Sequence, residues 1–278
     1  GAEAERRGIT ELVVAVCACH GRSFAVVGKI DVAAVFGIEV APLRLRELLD
    51  EADRFIAEAG RATIMYLNVH VANVAYRNSA LRESLRAADL VYCDGAGVRL
   101  GARILGDDLP ARMTAADFIW DLAGMCAQRG HRLFWVGGEP GVSQQALELL
   151  RERHPLLVIA GAHDGVFAKE GPESDRVIGE INAAKPDLVI VGLGTPLQEL
   201  WVQRNRGAID APLVWCLGAT ADFVTGRSRR APDWMLEHGL EWLHRLYREP
   251  RRLFKRYAIG NPLFVSRVLR ERRRKLAQ

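Results

Sequence analysis

Short runs of β-branched, aromatic and aliphatic residues recur along the chain, each apolar at successive rather than alternate positions: "TIMYL" (63–67), "LVYC" (90–93), "RLFWV" (132–136), "LLVIA" (156–160), "DLVIV" (187–191) and "PLVWC" (212–216). A strand with no polar face must be covered on both sides, as in a parallel sheet held between helices. Helical runs stand between the strands, among them "PGVSQQALELLRERH" (140–154), "DRVIGEINAAK" (175–185) and "LQELWVQRNRGA" (197–208). The alternation predicts an α/β fold, a Rossmann-like open, mostly parallel sheet with flanking helices and right-handed crossovers. Residues 1–34 fit no such unit and read as an N-terminal extension; "VFGIEVAPL" (35–43) reads as a small hairpin or edge strand leading into a helix over 44–59. The sheet domain is placed at 35–239 and a C-terminal helical basic appendage at 240–278.

Charge marks that appendage. Residues 245–278 hold twelve Lys/Arg and two Asp/Glu, a balance of +10, so the body before them carries −6 of the net +4. Other classes are excluded by what the sequence lacks. No window approaches the roughly 18 unbroken apolar residues of a membrane span. Gly1 to Gly8 carries Glu3, Glu5, Arg6 and Arg7 rather than a signal pattern, so a cytoplasmic location is expected. Cys17, Cys19, Cys93, Cys126 and Cys216 are odd in number and form no CxxC pair, which suits reduced thiols better than disulfides or zinc. The seven histidines show no metal-ligand spacing, and neither metal nor cofactor is expected.

In such sheets ligands bind beyond the carboxyl ends of the strands. There the sequence delivers Asn68, then Asp94-Gly95-Ala96-Gly97, Gly137-Gly138-Glu139-Pro140-Gly141, the stretch from Gly192 through Gly194, Thr195, Pro196, Leu197, Gln198 and Glu199, and finally Gly218 and Asp222. Glycines there let backbone N–H groups approach a ligand, and a helix N-terminus favours phosphate. Pro196 is expected at N1 of its helix, leaving Gln198 to point at a ligand. Each piece also has a plainer reading. Gly137-Gly138 suits a tight turn and fails G-x-G-x-x-G, Asp94 suits a helix cap or turn, and Gln198 and Glu199 could cap their own helix.

In order and spacing, "NVHVANVA" (68–75), "DGAGV" (94–98), "VGGEPG" (136–141), "DGVF" (164–167), "VGLGTPLQELW" (191–201), "LGATADFVTG" (217–226), "RRAPDWM" (229–235), "LEWLHRL" (240–246) and "EPRR" (249–252) resemble the WecG/TagA/CpsF glycosyltransferases, family 26. The resemblance spans about residues 35 to 256. It implies an inverting, metal-independent transfer from a UDP-sugar to a polyprenyl-diphosphate-linked saccharide in surface polysaccharide or wall polymer synthesis. The protein would then sit peripherally on the inner face of the cytoplasmic membrane. Asp94 matches the family's proposed general base; Asn68, Arg112 and Gln198 match residues lining the site, and Asp222 one at the nucleotide. Arg245, Arg252 and, at a third position, Arg256 or Lys255 match arginines of the family's C-terminal appendage. Two departures bear on the donor sugar: Tyr66 stands where many members have threonine, and Arg112 is followed by Met113-Thr114-Ala115-Ala116-Asp117 where Gly-Thr-Asp is common.

The chemistry agrees with that division of labour. Single displacement with inversion needs one carboxylate to take the acceptor's proton. The departing diphosphate needs positive partners, which arginine forks and backbone N–H groups supply. The tail interleaves Leu246, Tyr247, Leu253, Phe254, Tyr257, Leu263, Phe264 and Leu269 with arginines, which suits an amphipathic element on an anionic membrane surface or a helix packed on its own protein. No nucleic-acid-binding fold is recognisable, and a homo-oligomer is compatible with the sequence. Two other classes remain: a nicotinamide-dependent oxidoreductase using the 137–141 loop with Asp164, and a non-catalytic membrane-associated assembly partner.

Overall fold

In the computed structural model, which describes residues 32–277, all six expected strands pair in parallel. The chain opens with an antiparallel hairpin, β1 (Ala33–Val35) and β2 (Ile38–Val40), followed by α1 (Leu45–Ala57). Then come β3 (Ala62–Leu67), α2 (Val69–Ala75), α3 (Ser79–Ala87), β4 (Leu90–Cys93), α4 (Ala96–Leu105), α5 (Ala115–Arg129), β5 (Arg132–Gly137), α6 (Val142–Arg153) and β6 (Val158–His163). The sheet is completed by α7 (Pro172–Ala184), β7 (Leu188–Gly192), α8 (Leu197–Asn205), β8 (Leu213–Cys216) and α9 (Thr220–Val224). Beyond it lie α10 (Asp233–Glu237), α11 (Glu241–Arg248), α12 (Pro250–Phe254), a π-helical turn Lys255–Ile259 and the long α13 (Gly260–Leu276).

The strand order is β4-β3-β8-β7-β5-β6. Successive side chains serve opposite faces, so each strand contributes to two cores. Leu188 and Ile190 of β7 pack with Trp135, Trp215 and α5 on one side, while Val189 and Val191 pack with Trp201 and Val202 of α8 on the other. This double burial is why the strands carry no polar face. From the middle strands, β3 leads outward to β4 and β5 outward to β6, so the loops leaving β3 and β5 diverge and open the carboxyl edge between them.

Three boundaries differ from expectation. The hairpin starts at Ala33, inside the segment read as extension, and residues 1–31, with Cys17 and Cys19, lie outside the described residues. The fourth strand begins at Val158, and Leu156 is 76% exposed, because β6 is the sheet edge and needs cover on fewer sides. Pro196 precedes α8 as its N-cap rather than opening it at N1.

Part of the appendage fits the second of the tail's two readings, a helix packed on its own protein. Phe264 and Val268 of α13 are buried against α4, where a Cβ at Gly101 would come within 2.7 Å of the Phe264 ring. Only glycine permits that approach. Arg267 secures the same helix, donating to Asn73 Oδ1 at 2.7 Å and lying 4.2 Å over the Tyr76 ring, while Asn73 Nδ2 donates to the Gly260 carbonyl. Leu243, Tyr247, Phe254 and Ile259 instead face outward.

Candidate active site

The carboxyl edge carries two cavities. The first, about 530 Å³, has Asn68 and Asp94 from the ends of β3 and β4, Arg112 and Thr114 from the approach to α5, and Arg245 and Arg256 from the appendage. Asp94 does not cap α4, whose N-cap is Gly95, so the cap reading of this aspartate fails. It sits instead beside Asn68, whose side chain is used twice. Asn68 Oδ1 accepts from the Val71 N–H at 3.0 Å, capping α2, and Nδ2 donates to Asp94 Oδ2 at 2.9 Å. Burial raises the Asp94 carboxyl above the usual carboxylate range; the Asn68 amide, the Thr114 hydroxyl and the charges of Arg256 and Arg245 pull it back.

Around Asp94 the charges alternate. Arg112 reaches Thr114 Oγ1 at 3.4 Å and the Leu236 carbonyl at 3.1 Å. Glu241 is half-buried beside Arg230 at 2.5 Å, and desolvation raises its carboxyl too. Arg245 lies 5.2 Å over the Phe223 ring, and Arg256 Nε is buried without a protein partner. His70, on the same cavity, is lowered to about 4 by burial and by Arg256, so it faces the cavity neutral. Thr114, His70, Glu241 and Trp242 are not singled out by the sequence, although all four lie within quoted stretches. Their polar character was visible; their convergence on one cavity was not.

The second cavity is lined by Gly138, Gly165, Gly192, Asp222, Arg227 and Arg252, among others. Its floor depends on backbones in contact: a Cβ at Gly137 would stand 2.4 Å from the Gly192 carbonyl oxygen. Arg252 pairs with Glu249 at 2.5 Å, and burial raises the Asp222 carboxyl against the pull of Arg227. Asp164 is engaged by the Val166 N–H at 2.8 Å, which fixes it in a turn. Arg245 and Arg252 therefore serve different cavities.

Between the two lies a buried network that changes the expected picture of "GTPLQE". Gln198 is fully buried and lines neither cavity; Tyr66, Gly137, Gly194 and Pro196 line neither cavity as well, with Gly137 buried, Tyr66 and Pro196 partly buried and Gly194 exposed. Gln198 Nε2 donates to Glu199 Oε1 at 2.8 Å and to the Tyr66 hydroxyl at 3.3 Å, and Oε1 accepts from the Gly218 N–H at 3.2 Å. Thr195 Oγ1 donates to the same Glu199 oxygen at 2.8 Å. Leu197 faces solvent and Gln198 the interior, because α8 turns that side toward β3 and β8. Gln198 thus ties strand ends together instead of pointing at a ligand. Tyr66 fills the space above Gly218, where a Cβ would come within 2.8 Å of its hydroxyl, and burial raises that phenol.

A model of the glycosyl transferase WecG/TagA/CpsF family matches residues 33–278. The chain is 30% identical over 212 residues to an N-acetylglucosaminyldiphosphoundecaprenol N-acetyl-β-D-mannosaminyltransferase of Bacillus spizizenii, covering 76% of this chain and 80% of the relative. A protein of the same name from Bacillus subtilis is 28% identical over 214 residues, covering 77% and 81%.

Proposed function

The chain belongs to the WecG/TagA/CpsF glycosyltransferase family, and from that premise we propose that it moves an N-acetylhexosamine from a UDP-sugar, with inversion, onto a polyprenyl-diphosphate-linked saccharide. The relatives' names make N-acetylmannosamine the first donor sugar to try and N-acetylglucosaminyl-diphospho-undecaprenol the first acceptor. One observation carries the reading: Asp94, held by Asn68 and Thr114, lies in a cavity shared with Arg245 and Arg256. That arrangement puts a base and anion partners at one place. The acceptor hydroxyl gives its proton to Asp94 as its oxygen bonds to the anomeric carbon, and the bond from that carbon to UDP breaks with its electron pair leaving on the diphosphate.

The second cavity suits the nucleotide, with Gly138 and Gly192 allowing backbone approach, Asp222 for polar groups and Arg252 and Arg227 for charge. Guanidinium groups supply the countercharge, so the reading is metal-independent. Arg248, Arg251 and Lys255 are exposed near outward-facing Tyr247 (83% exposed) and Phe254, which supports peripheral attachment to an anionic leaflet. No helix among the described residues is long and apolar enough to cross a membrane.

Transfer from a panel of UDP-sugars to a short lipid-diphosphate acceptor, scored by mass, tests the reaction. Asp94→Asn should lower turnover by roughly 10²–10⁴-fold while UDP still raises the melting temperature. Near-normal turnover in the folded variant would remove Asp94 as base. A thermal shift with NAD and none with UDP would remove the transferase reading of the second cavity.

A further inference from the structure

The first cavity changes character along its wall. Polar groups gather around Asp94, but Leu100 of α4, Trp242, Tyr257, Phe264 and Val265 line the same space. Two of these apolar side chains stand at an open lip: Leu100 is 50% exposed and Val265 36%. One turn beyond Val265 on α13, Leu269 is 43% exposed, and after it come exposed Arg270, Arg272, Arg273 and Arg274. An apolar strip therefore runs out of the cavity and ends among cations.

We infer that this strip is an isoprenoid subsite: the first prenyl units of the acceptor lie between Leu100 and Val265 and leave the protein along Leu269. The inference rests on the acceptor being a lipid diphosphate, as proposed above. Arg256, whose Nε is buried with no protein partner, and Arg245 would hold the diphosphate where the polar wall meets the apolar one. A peptide in the same place would bring backbone N–H and C=O groups needing partners, which the side chains of Leu100, Phe264 and Val265 do not offer. A branched hydrocarbon has no such need. The helices forming the strip are fixed to each other, since Gly101 admits the Phe264 ring and Arg267 pins α13 to α2, so the subsite exists before the lipid arrives. The cations beyond Leu269 place its exit at an anionic surface.

The test uses the full chain without vesicles, so that membrane attachment contributes nothing. Thermal shifts are read with pyrophosphate and with dimethylallyl, geranyl and farnesyl diphosphates, and acceptor KM with sugar diphosphates of the same chain lengths. Affinity should rise about tenfold per prenyl unit over the first two or three units and then level off. In the Leu100→Ser/Val265→Ser double variant, the ratio of long-chain to short-chain affinity should collapse toward one. Equal chain-length dependence in wild type and double variant, or no chain-length dependence in wild type, overturns the subsite. Failure of the acceptor reading looks different: no sugar is transferred to any acceptor, whatever its chain, while the shifts with prenyl diphosphates still report on the strip.

Discussion

Replacing Asn68 by serine separates the two tasks of that side chain. Serine is as good an N-cap as asparagine, so the bond to the Val71 N–H that starts α2 can be kept, whereas alanine would lose about 1 kcal/mol of cap. What serine cannot reach is Asp94 Oδ2, now 2.9 Å from the amide nitrogen. A hydrogen bond to a charged group contributes roughly 1.5–3 kcal/mol, and this one favours the ionised carboxylate over the protonated form. Its loss raises the Asp94 carboxyl further and moves the acid limb of kcat/KM to higher pH. On that limb the variant should lose about tenfold to a hundredfold in kcat/KM, at 1.4 kcal/mol per tenfold. Above the limb, where Asp94 is ionised in both proteins, the loss should shrink. The assay is kcat/KM for the acceptor across about pH 5 to 9, with the melting temperature as the control for folding. A loss of equal size at every pH would refute the reasoning, because Asn68 would then act on substrate directly and not through Asp94.

Three further outcomes follow from the packing. Gly101→Leu must displace the buried Phe264 ring, so overpacking of about 1–3 kcal/mol should loosen α13 and speed proteolysis within 255–260; unchanged protection would mean the helix is held elsewhere. Glu199, raised by burial and therefore favouring the neutral form, should tolerate Glu199→Gln within about 1 kcal/mol in urea unfolding, whereas Glu199→Ala strands the donors of Thr195 and Gln198 and should cost about 2–4 kcal/mol; equal costs would place the charged form there. His70 stays neutral in the folded protein down to about 4 while the unfolded chain protonates near 6.5, so folding stability should fall as pH drops through that window, and His70→Asn should flatten the fall in Tm against pH.

The sheet was legible because its strands are buried on both faces, and the reading failed where that condition fails. At β6 the edge position leaves Leu156 in solvent, and the apolar run no longer marks the strand. Asp94 was legible as a carboxylate at a strand end. Much of its surroundings was not, since Thr114, His70, Glu241 and Trp242 come from segments brought together only by tertiary packing. Gln198 shows a different limit: local pattern gave its position on α8 but not the side of the helix it occupies, and the side decides between ligand contact and a buried tie to Gly218. In the tail, interleaved apolar and basic residues suit both readings, and the structure shows which side chains pack on the protein, with Phe264 and Val268 inward and Tyr247 and Phe254 outward.

The segment from α11 through α12 touches both cavities, with Trp242 and Arg245 on the first and Glu249 and Arg252 on the second. Whatever steadies these two short helices at one cavity steadies them at the other. If acceptor and donor occupy the two cavities as proposed, they are linked thermodynamically: each would tighten the other by one common factor, and coupling energies of this kind are commonly about 1–3 kcal/mol. On the proposed reaction, a donor bound alone would be held less tightly, and its activated sugar would be spared from water until a lipid-borne hydroxyl arrived to receive it.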